Sequence, residues 1–253
     1  MAFVLVTGAS TGIGLATVEE LVNTGHDVVL HARQPDRTTD LEVRHRVRDL
    51  VYADLSDADQ TATLAAQLNR MGRFDAVVHN AGVTKAPMVF AVNLIAQYLL
   101  TALMTPPHRS IALSSGSHES GTVDVDSVDF DRPKPVDLSY GDAKLYVTTL
   151  MMALARLRPE TMAHAVDPGW VPTRMGGPSA TDPLDEAHRT QVWLATAPVS
   201  DIDPRSAGYW QHHARRPSHP AATDTAFQDK LLHRLEKHTG VTLPPVDQAR
   251  DDT

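Results

Sequence analysis

The chain opens with an apolar segment, Ala2 to Val6, that runs directly into Thr7-Gly8-Ala9-Ser10-Thr11-Gly12-Ile13-Gly14. From Leu15 to Val22 apolar residues then recur at helical spacing. This order predicts a strand, a tight turn and a helix. Such a layout aims free backbone N–H groups and the positive end of a helix dipole at one point, which suits a phosphate. Gly8 permits the sharp turn, Gly12 lets the backbone approach phosphate, and Gly14 lets the helix sit close on the sheet. We therefore expect a dinucleotide at Gly8, Ser10, Thr11, Gly12, Ile13 and Gly14. Taken alone, the same turn is also compatible with a ligand-free bend that needs positive φ.

The rest of the chain continues the alternation. Further strands are predicted over residues 27–32, 50–53, 74–79, 110–114 and 162–166. Helices are predicted from near Ser56, with Asp57 in the first turn, over 89–104 up to Pro106-Pro107, over 140–157, and over 224–238. The His-bearing segment 215–220 reads as a loop. Alternating strands and helices specify an α/β fold, a doubly wound parallel sheet with helices on both faces. At 253 residues with 42% hydrophobic content, one domain spanning 1–253 is expected.

Composition removes several function classes. A net charge of −8, from 23 basic and 31 acidic residues, argues against nucleic acid or an anionic membrane as partner. No apolar run has the length of a membrane span, and no signal peptide is expected before the first strand. Cysteine is absent, which excludes disulfides and thiolate chemistry. A cytoplasmic location is the expectation. His212, His213 and His219 lack the spacing of a metal site, so no metal is expected.

Chemistry-bearing residues punctuate the predicted elements. The second strand ends in His31-Ala32-Arg33, where a carboxylate would hold a free ribose 2′-hydroxyl; none stands there. Arg33 is suited to a 2′-phosphate, or is a solvated surface residue. Asp54, followed by Leu55, closes the third strand and could accept from an adenine amino group or start the next helix. His79-Asn80-Ala81-Gly82 closes the fourth strand. Tyr140 and Lys144 lie four apart on a helix and so share a face. A cation there favours the phenolate and lowers a phenol pKa from its usual value of about 10. Ser115 ends the fifth strand with a hydroxyl able to bond a carbonyl oxygen. Asn93 is a polar residue within an apolar helix. Asp167-Pro168-Gly169-Trp170-Val171-Pro172-Thr173 follows the sixth strand.

The T-G-x-x-x-G-x-G turn, the Asn-Ala-Gly, the helix asparagine, the serine, the Y-x-x-x-K and the P-G-x-V-x-T turn stand in one order over nearly the first 175 residues. In these marks the chain resembles the short-chain dehydrogenase/reductase family. It departs at His79, where the family has the first Asn of N-N-A-G; an imidazole supplies at most one of that amide's hydrogen bonds. The resemblance implies that Tyr140 is the acid in reduction and the base in oxidation. Lys144 would lower the phenol pKa and bind the nicotinamide ribose, Ser115 would orient the substrate oxygen, and Asn93 would hold a water that links Lys144 to solvent. It also implies cofactor contacts from Asn80, Ala81, Gly82, Pro168, Gly169, Val171 and Thr173, besides Tyr140, Lys144, Arg33, Asp54 and Leu55.

NADP(H) is expected over NAD(H), with reversible reduction of an aldehyde or ketone. The long insert between Ser115 and Tyr140, beginning Gly116-Ser117-His118-Glu119, and the tail around Ser206–Trp210 are similar to the retinol-dehydrogenase-like branch. His118, Trp170 and Met175 are candidates for the substrate side; His118 also reads as a loop histidine bonded to backbone. A lid is expected near 174–190 and a substrate-side tail over 200–253. The partner is a small carbonyl or alcohol substrate, with a homodimer or homotetramer in view. The remaining readings are a non-catalytic NADP(H)-binding sensor and a nucleotide-sugar-type epimerase.

Overall fold

Strands covered by helices on both faces read as near-continuous apolar runs, and that is how six of these runs fold. A computed structural model describes residues 1–39, 42–84, 87–132 and 136–244. The end of the insert at Pro133 and residues 245–253 of the expected tail lie outside the described residues. The strands are β1 (Phe3–Val6), β2 (Asp27–Ala32), β3 (Asp49–Tyr52), β4 (Ala76–His79), β5 (Arg109–Leu113), β6 (Met162–Asp167), β7 (Gly208–Gln211) and β8 (Ala214–Arg216). They form one sheet in the order β3-β2-β1-β4-β5-β6-β7-β8. β1 pairs in parallel with both β2 and β4, so the winding direction reverses there. A ligand crevice belongs at the carboxyl ends of the strands at such a reversal.

The helices are α1 (Gly12–Asn23), α2 (Ala58–Met71), α3 (Ala96–Leu103), α4 (Val136–Leu157), α5 (Leu184–Ala187), α6 (Arg189–Thr196), α7 (Pro220–Thr223) and α8 (Thr225–Thr239). Successive strand residues point to opposite faces. Val4, Val6, Val28 and Val78 therefore pack with Val18 and Leu21 of α1 and Val192 and Leu194 of α6. Leu5, Val29 and Val77 pack on the other face with Leu64 and Leu68 of α2 and Ala96 and Leu100 of α3. On that same side a third cluster joins Tyr146 and Leu150 of α4, Leu231 and Leu235 of α8, and Val125, Val128 and Phe130 of the insert. None of the described helices is long and apolar enough to cross a membrane.

Several boundaries differ from the expectation, each for a local reason. Asp57 is the N-cap of α2 rather than a first-turn residue, its side chain accepting from the N–H of Asp59 (2.9 Å) and Gln60 (3.1 Å). The segment expected as one helix from Val89 contains a π-helical turn over Ala91–Ile95, with Asn93 in its middle, before α3 begins. The segment expected as a loop over 215–220 begins inside β8, an antiparallel edge strand paired with β7. Backbone pairing with Tyr209 and Trp210 makes this strand; its exposed Ala214, Arg215 and Arg216 carry no alternation to announce it. Residues 184–190, expected within a lid, belong to α5 and the start of α6. Gln191 of α6 anchors that end on α1, its Nε2 donating to Thr17 Oγ1 at 3.3 Å.

Candidate active site

The glycine turn lies at the carboxyl end of β1. Gly8 and Gly12 have φ of +64° and +59°, the left-handed region that glycine alone enters freely. The Gly8 N–H donates to His31 Nδ1 at 3.0 Å, and His31 Nε2 donates to Ala53 O at 3.1 Å. A neutral imidazole thus ties the turn to β2 and to the end of β3; burial draws the His31 pKa down to about 4. No side chain caps α1 at Thr11, and no acidic residue stands in its first turn. This helix end is fitted to take an anion.

Gly14 lets the start of α1 approach the backbone after β1 and the Asn80 side chain closely. A Cβ there would lie 2.3 Å from Asn80 Nδ2 and 2.8 Å from Gly8 O. The Asn80 amide occupies that space, donating to Thr7 O (2.8 Å) and Gly8 O (3.1 Å), while its own N–H donates to Thr7 Oγ1 (3.0 Å). Asn80, not His79, braces the turn. The His79 ring is buried on the opposite side of β4, its Nδ1 has no partner among the described residues, and burial lowers its pKa to about 4. Ala81 sits against Gly8, where a Cβ on the glycine would come within 2.7 Å of Ala81 Cα.

The turn after β6 reaches the same place. A Cβ on Gly12 would lie 3.3 Å from Thr173 Cγ2, so the first and last motifs of the sequence abut. Val171 is buried, Gly169 has φ +84°, and Pro168 and Gly169 line the adjoining cavity. Arg33 is exposed at the end of β2 and enters no ion pair or hydrogen bond among the described residues. The Asp54 carboxylate is already engaged, its Oδ1 accepting from Ser56 N (3.0 Å) and Ser56 Oγ (2.7 Å), and Leu55 is buried.

Ser115, Tyr140 and Lys144 converge beneath this turn. Ser115 is the N-cap of a 3-10 turn over Gly116–Ser120, its Oγ accepting from Ser117 N at 3.2 Å. Tyr140 and Lys144 share one face of α4, with Lys144 Nζ 5.6 Å from the centre of the Tyr140 ring. Lys144 is buried and donates to Leu113 O at 2.6 Å. The ammonium is thus held by the backbone of β5 close to the Tyr140 ring. In contrast to the expected lowering, burial raises the Tyr140 pKa to about 12; a hydrogen bond with Ser115 opposes this and the Asp167 charge adds to it. Burial also lowers the Lys144 pKa to about 8, against the pull of Asp167. Asn93 closes on the backbone of Val83 from both sides, accepting from its N–H (2.7 Å) and donating to its carbonyl (2.8 Å). A Cβ on Gly82 would lie 3.1 Å from Asn93 Oδ1 and 3.8 Å from Lys144 Nζ, so Gly82 separates the two.

A cavity of about 540 Å³ opens over Ser115 and Tyr140. Trp170 and Met175 form its outer wall, 53% and 45% exposed, and the Tyr140 hydroxyl lies 3.9 Å from Met175 Sδ. His118 does not line it. Its ring is 1% exposed, its Nδ1 donates to Ser115 O (2.9 Å), its Nε2 accepts from His219 N (3.0 Å), and it stacks on Tyr209. The expectation of a substrate contact from His118 is therefore corrected to a backbone tie behind the serine. No grouping of His, Asp or Glu among the described residues could hold a metal.

Three residues were not singled out by the sequence. His31 read only as part of an apolar strand. Asp167 read as the lead-in to Pro168, yet it lines the cavity. Asp182 also lines it and holds the loop above, its Oδ2 accepting from Trp170 N at 2.6 Å while Asp182 N donates to Trp170 O at 2.8 Å.

This geometry agrees with what the chain resembles. Residues 2–183 match the short chain dehydrogenase family. The chain is 31% identical over 261 residues to the short-chain dehydrogenase chry4 of Gibberella zeae, covering 96% of this chain and 99% of that one. It is 29% identical to human retinol dehydrogenase 13 over 199 residues, 68% of this chain and 60% of that one. The fold is shared with an NADPH-bound carbonyl reductase from chicken fatty liver, at a TM-score of 0.68 and 21% identity, covering 86% of this chain and 99% of that structure.

Proposed function

The chain belongs to the short-chain dehydrogenase family, and from that premise we propose that it is an NADP(H)-dependent oxidoreductase that reversibly reduces an aldehyde or ketone. The observation that carries the reading is the convergence of Ser115 and Tyr140 on one cavity, with Lys144 behind the ring and the glycine turn above. The uncapped start of α1 and the left-handed glycines fit a pyrophosphate at residues 8–14. Asn80, Ala81 and Gly82 would line the dinucleotide from β4, and Val171 and Thr173 from the turn after β6. Arg33, exposed at the end of β2 and without a partner among the described residues, would meet a 2′-phosphate and so favour NADP(H). The carbonyl reductase activity and NADPH named for the chicken protein point the same way. When bound, the nicotinamide cofactor supplies the hydride in reduction and accepts it in oxidation.

The protein's own groups handle the proton and the orientation. Ser115 Oγ holds the substrate oxygen beside the Tyr140 hydroxyl. The phenol, raised to about 12, is protonated at neutral pH and gives its proton to that oxygen as charge develops on it. Lys144 stabilises the phenolate left behind. Asn93 keeps the Val83 backbone and hence the Asn80–Gly82 turn in place; its role as holder of a relay water rests on its family position.

Oxidation of NADPH and NADH over a panel of aldehydes and ketones, with Tyr140→Phe in parallel, tests the reading. The expected result is turnover that prefers NADPH and falls about 10²–10⁴-fold in the variant, the usual worth of a positioned acid. Tight NADPH binding without turnover of any substrate would overturn it in favour of a cofactor sensor.

A further inference from the structure

The cavity has a sign of charge. Its lining includes two carboxylates, Asp167 and Asp182, and no lysine, arginine or histidine among the described residues. Asp182 is spent on the loop above it, through its bond to Trp170 N. Asp167 is placed otherwise. Its Oδ1 accepts from Gly169 N at 2.9 Å, which fixes the side chain. Its Oδ2 points past the Ser115 turn, 3.3 Å from where a Cβ on Gly116 would stand, and the buried Tyr209 hydroxyl is the neighbouring polar group on this carboxylate, which still has lone pairs to offer. The residue is 8% exposed. A carboxylate this sheltered keeps an acceptor available at the edge of the reacting centre, where a low effective dielectric strengthens its field.

The glycine at 116 is what leaves that oxygen open to the cavity. The other polar lining near this end is of either donor or acceptor type: Ser114, Ser117 and Gln211. None of these neutralises the charge of Asp167. Lys144 is attracted to Asp167, yet it is buried on its hydrogen bond to Leu113 O and is not among the residues that line the cavity.

The geometry points to Asp167 as the residue that selects substrate by charge: the site takes carbonyl compounds that carry a hydrogen-bond donor, a hydroxyl or best a protonated amine, near the carbonyl, and rejects carboxylates. This deepens the carbonyl-reductase reading and rests on it. A donor on the substrate would pair with Asp167 Oδ2 while the carbonyl oxygen sits at Ser115 and Tyr140. An anion placed there would meet a like charge, which is discrimination by repulsion as much as by attraction. A site built to hydrogen-bond one substrate group rejects analogues that lack it more strongly than an apolar wall does.

The test uses one parent ketone or aldehyde that the enzyme reduces with NADPH, compared with derivatives in which the same position bears a hydroxyl, an ammonium or a carboxylate. kcat/KM is measured for the wild type and for Asp167→Asn. Asparagine keeps the carbonyl oxygen that accepts from Gly169 N, so the turn is preserved, and each derivative's kcat/KM is expressed relative to the parent's in the same enzyme. We expect the wild type to favour the ammonium over the carboxylate derivative by at least about tenfold, which is about 1.4 kcal/mol. Asp167→Asn should collapse that ratio toward one, the ratio being taken within one enzyme so that a change in rate common to all the substrates cancels. Equal kcat/KM for the charged derivatives in the wild type, or a preference that survives in Asp167→Asn, would overturn the assignment while leaving the reductase reading intact. Failure to reduce the parent or any other carbonyl compound would instead remove the reductase reading, and this one with it. Asp182→Asn gives a second comparison: a charge ratio that follows Asp182 and not Asp167 would overturn the assignment of the residue.

Discussion

Gly14 and Asn80 are complementary in shape, since the hydrogen of the glycine leaves the space that the asparagine amide fills on its way to Thr7 O and Gly8 O. Gly14→Ala should therefore act on the cofactor turn and not merely on helix packing. A methyl group 2.3 Å from Asn80 Nδ2 has to expel the amide and break both of its bonds. We expect NADPH affinity to fall at least tenfold in the folded variant, measured by fluorescence titration. Unchanged affinity would show that Asn80 does not hold the turn.

Arg33 is exposed at the end of β2 and has no partner among the described residues, so its removal should cost little in folding. Arg33→Ala should raise the KM for NADPH by about tenfold or more, in line with the loss of a charge-assisted phosphate contact. The KM for NADH should change little. Equal effects on both cofactors would place the 2′-phosphate elsewhere.

Three buried histidines set the acid limit of the fold. His31, His79 and His164 all have pKa values lowered to about 4 by burial. His164 uses both ring nitrogens in the neutral form, with Nε2 donating to Arg205 O while Nδ1 accepts from Gly208 N and Trp210 Nε1. In the unfolded chain each titrates near 6.5, so between pH 6.5 and 4 the unfolded state binds more protons than the native one. The stabilisation is present above pH 6.5 and is lost as pH falls toward 4. Urea midpoints taken from pH 7.5 down to 4.5 should drop with a slope approaching three protons, each histidine contributing up to about 3 kcal/mol over the whole interval. A flat profile would mean that these rings protonate without disturbing the native state.

The face of α3 and α4 is covered by the chain itself. Phe227, Leu231 and Leu235 pack there with Val125, Val128 and Phe130, and the Tyr98 hydroxyl donates to Val241 O at 2.7 Å. Arg158 reaches Thr101 O and Pro244 O from the same side. Instead of the homodimer or homotetramer expected from the sequence, we predict a monomer by light scattering at micromolar concentration. A stable dimer would require a different interface.

Much of the site was legible because it rests on backbone demands that few residues meet. The left-handed turns at Gly8 and Gly12, and the helical spacing of Tyr140 and Lys144, are properties of the chain taken locally. What stayed hidden depends on what a strand faces. His31 and His164 sit in apolar strands, and nothing in the local pattern says that their ring nitrogens bind backbone groups 22 and 41 or more residues away. The lowered Tyr140 pKa expected from Lys144 left out the cost of burying the phenol, which spacing along a helix does not show and which raises the pKa here. Asn93 was conspicuous as a polar residue in an apolar helix, yet its target, the backbone of Val83, becomes visible only once the π-helical turn is in place. β8 escaped because an edge strand bonded on one side needs no apolar residue.

His118 joins the carbonyl of Ser115 to the amide of His219, so the turn that presents the serine hydroxyl and the segment that begins α7 are two ends of a single strut. Changes made around residue 219 to reshape a substrate pocket would be transmitted to Ser115 through that ring. The tail and the chemistry of this enzyme are therefore not independently adjustable, and a new specificity would have to be built with His118 kept or with both of its bonds replaced.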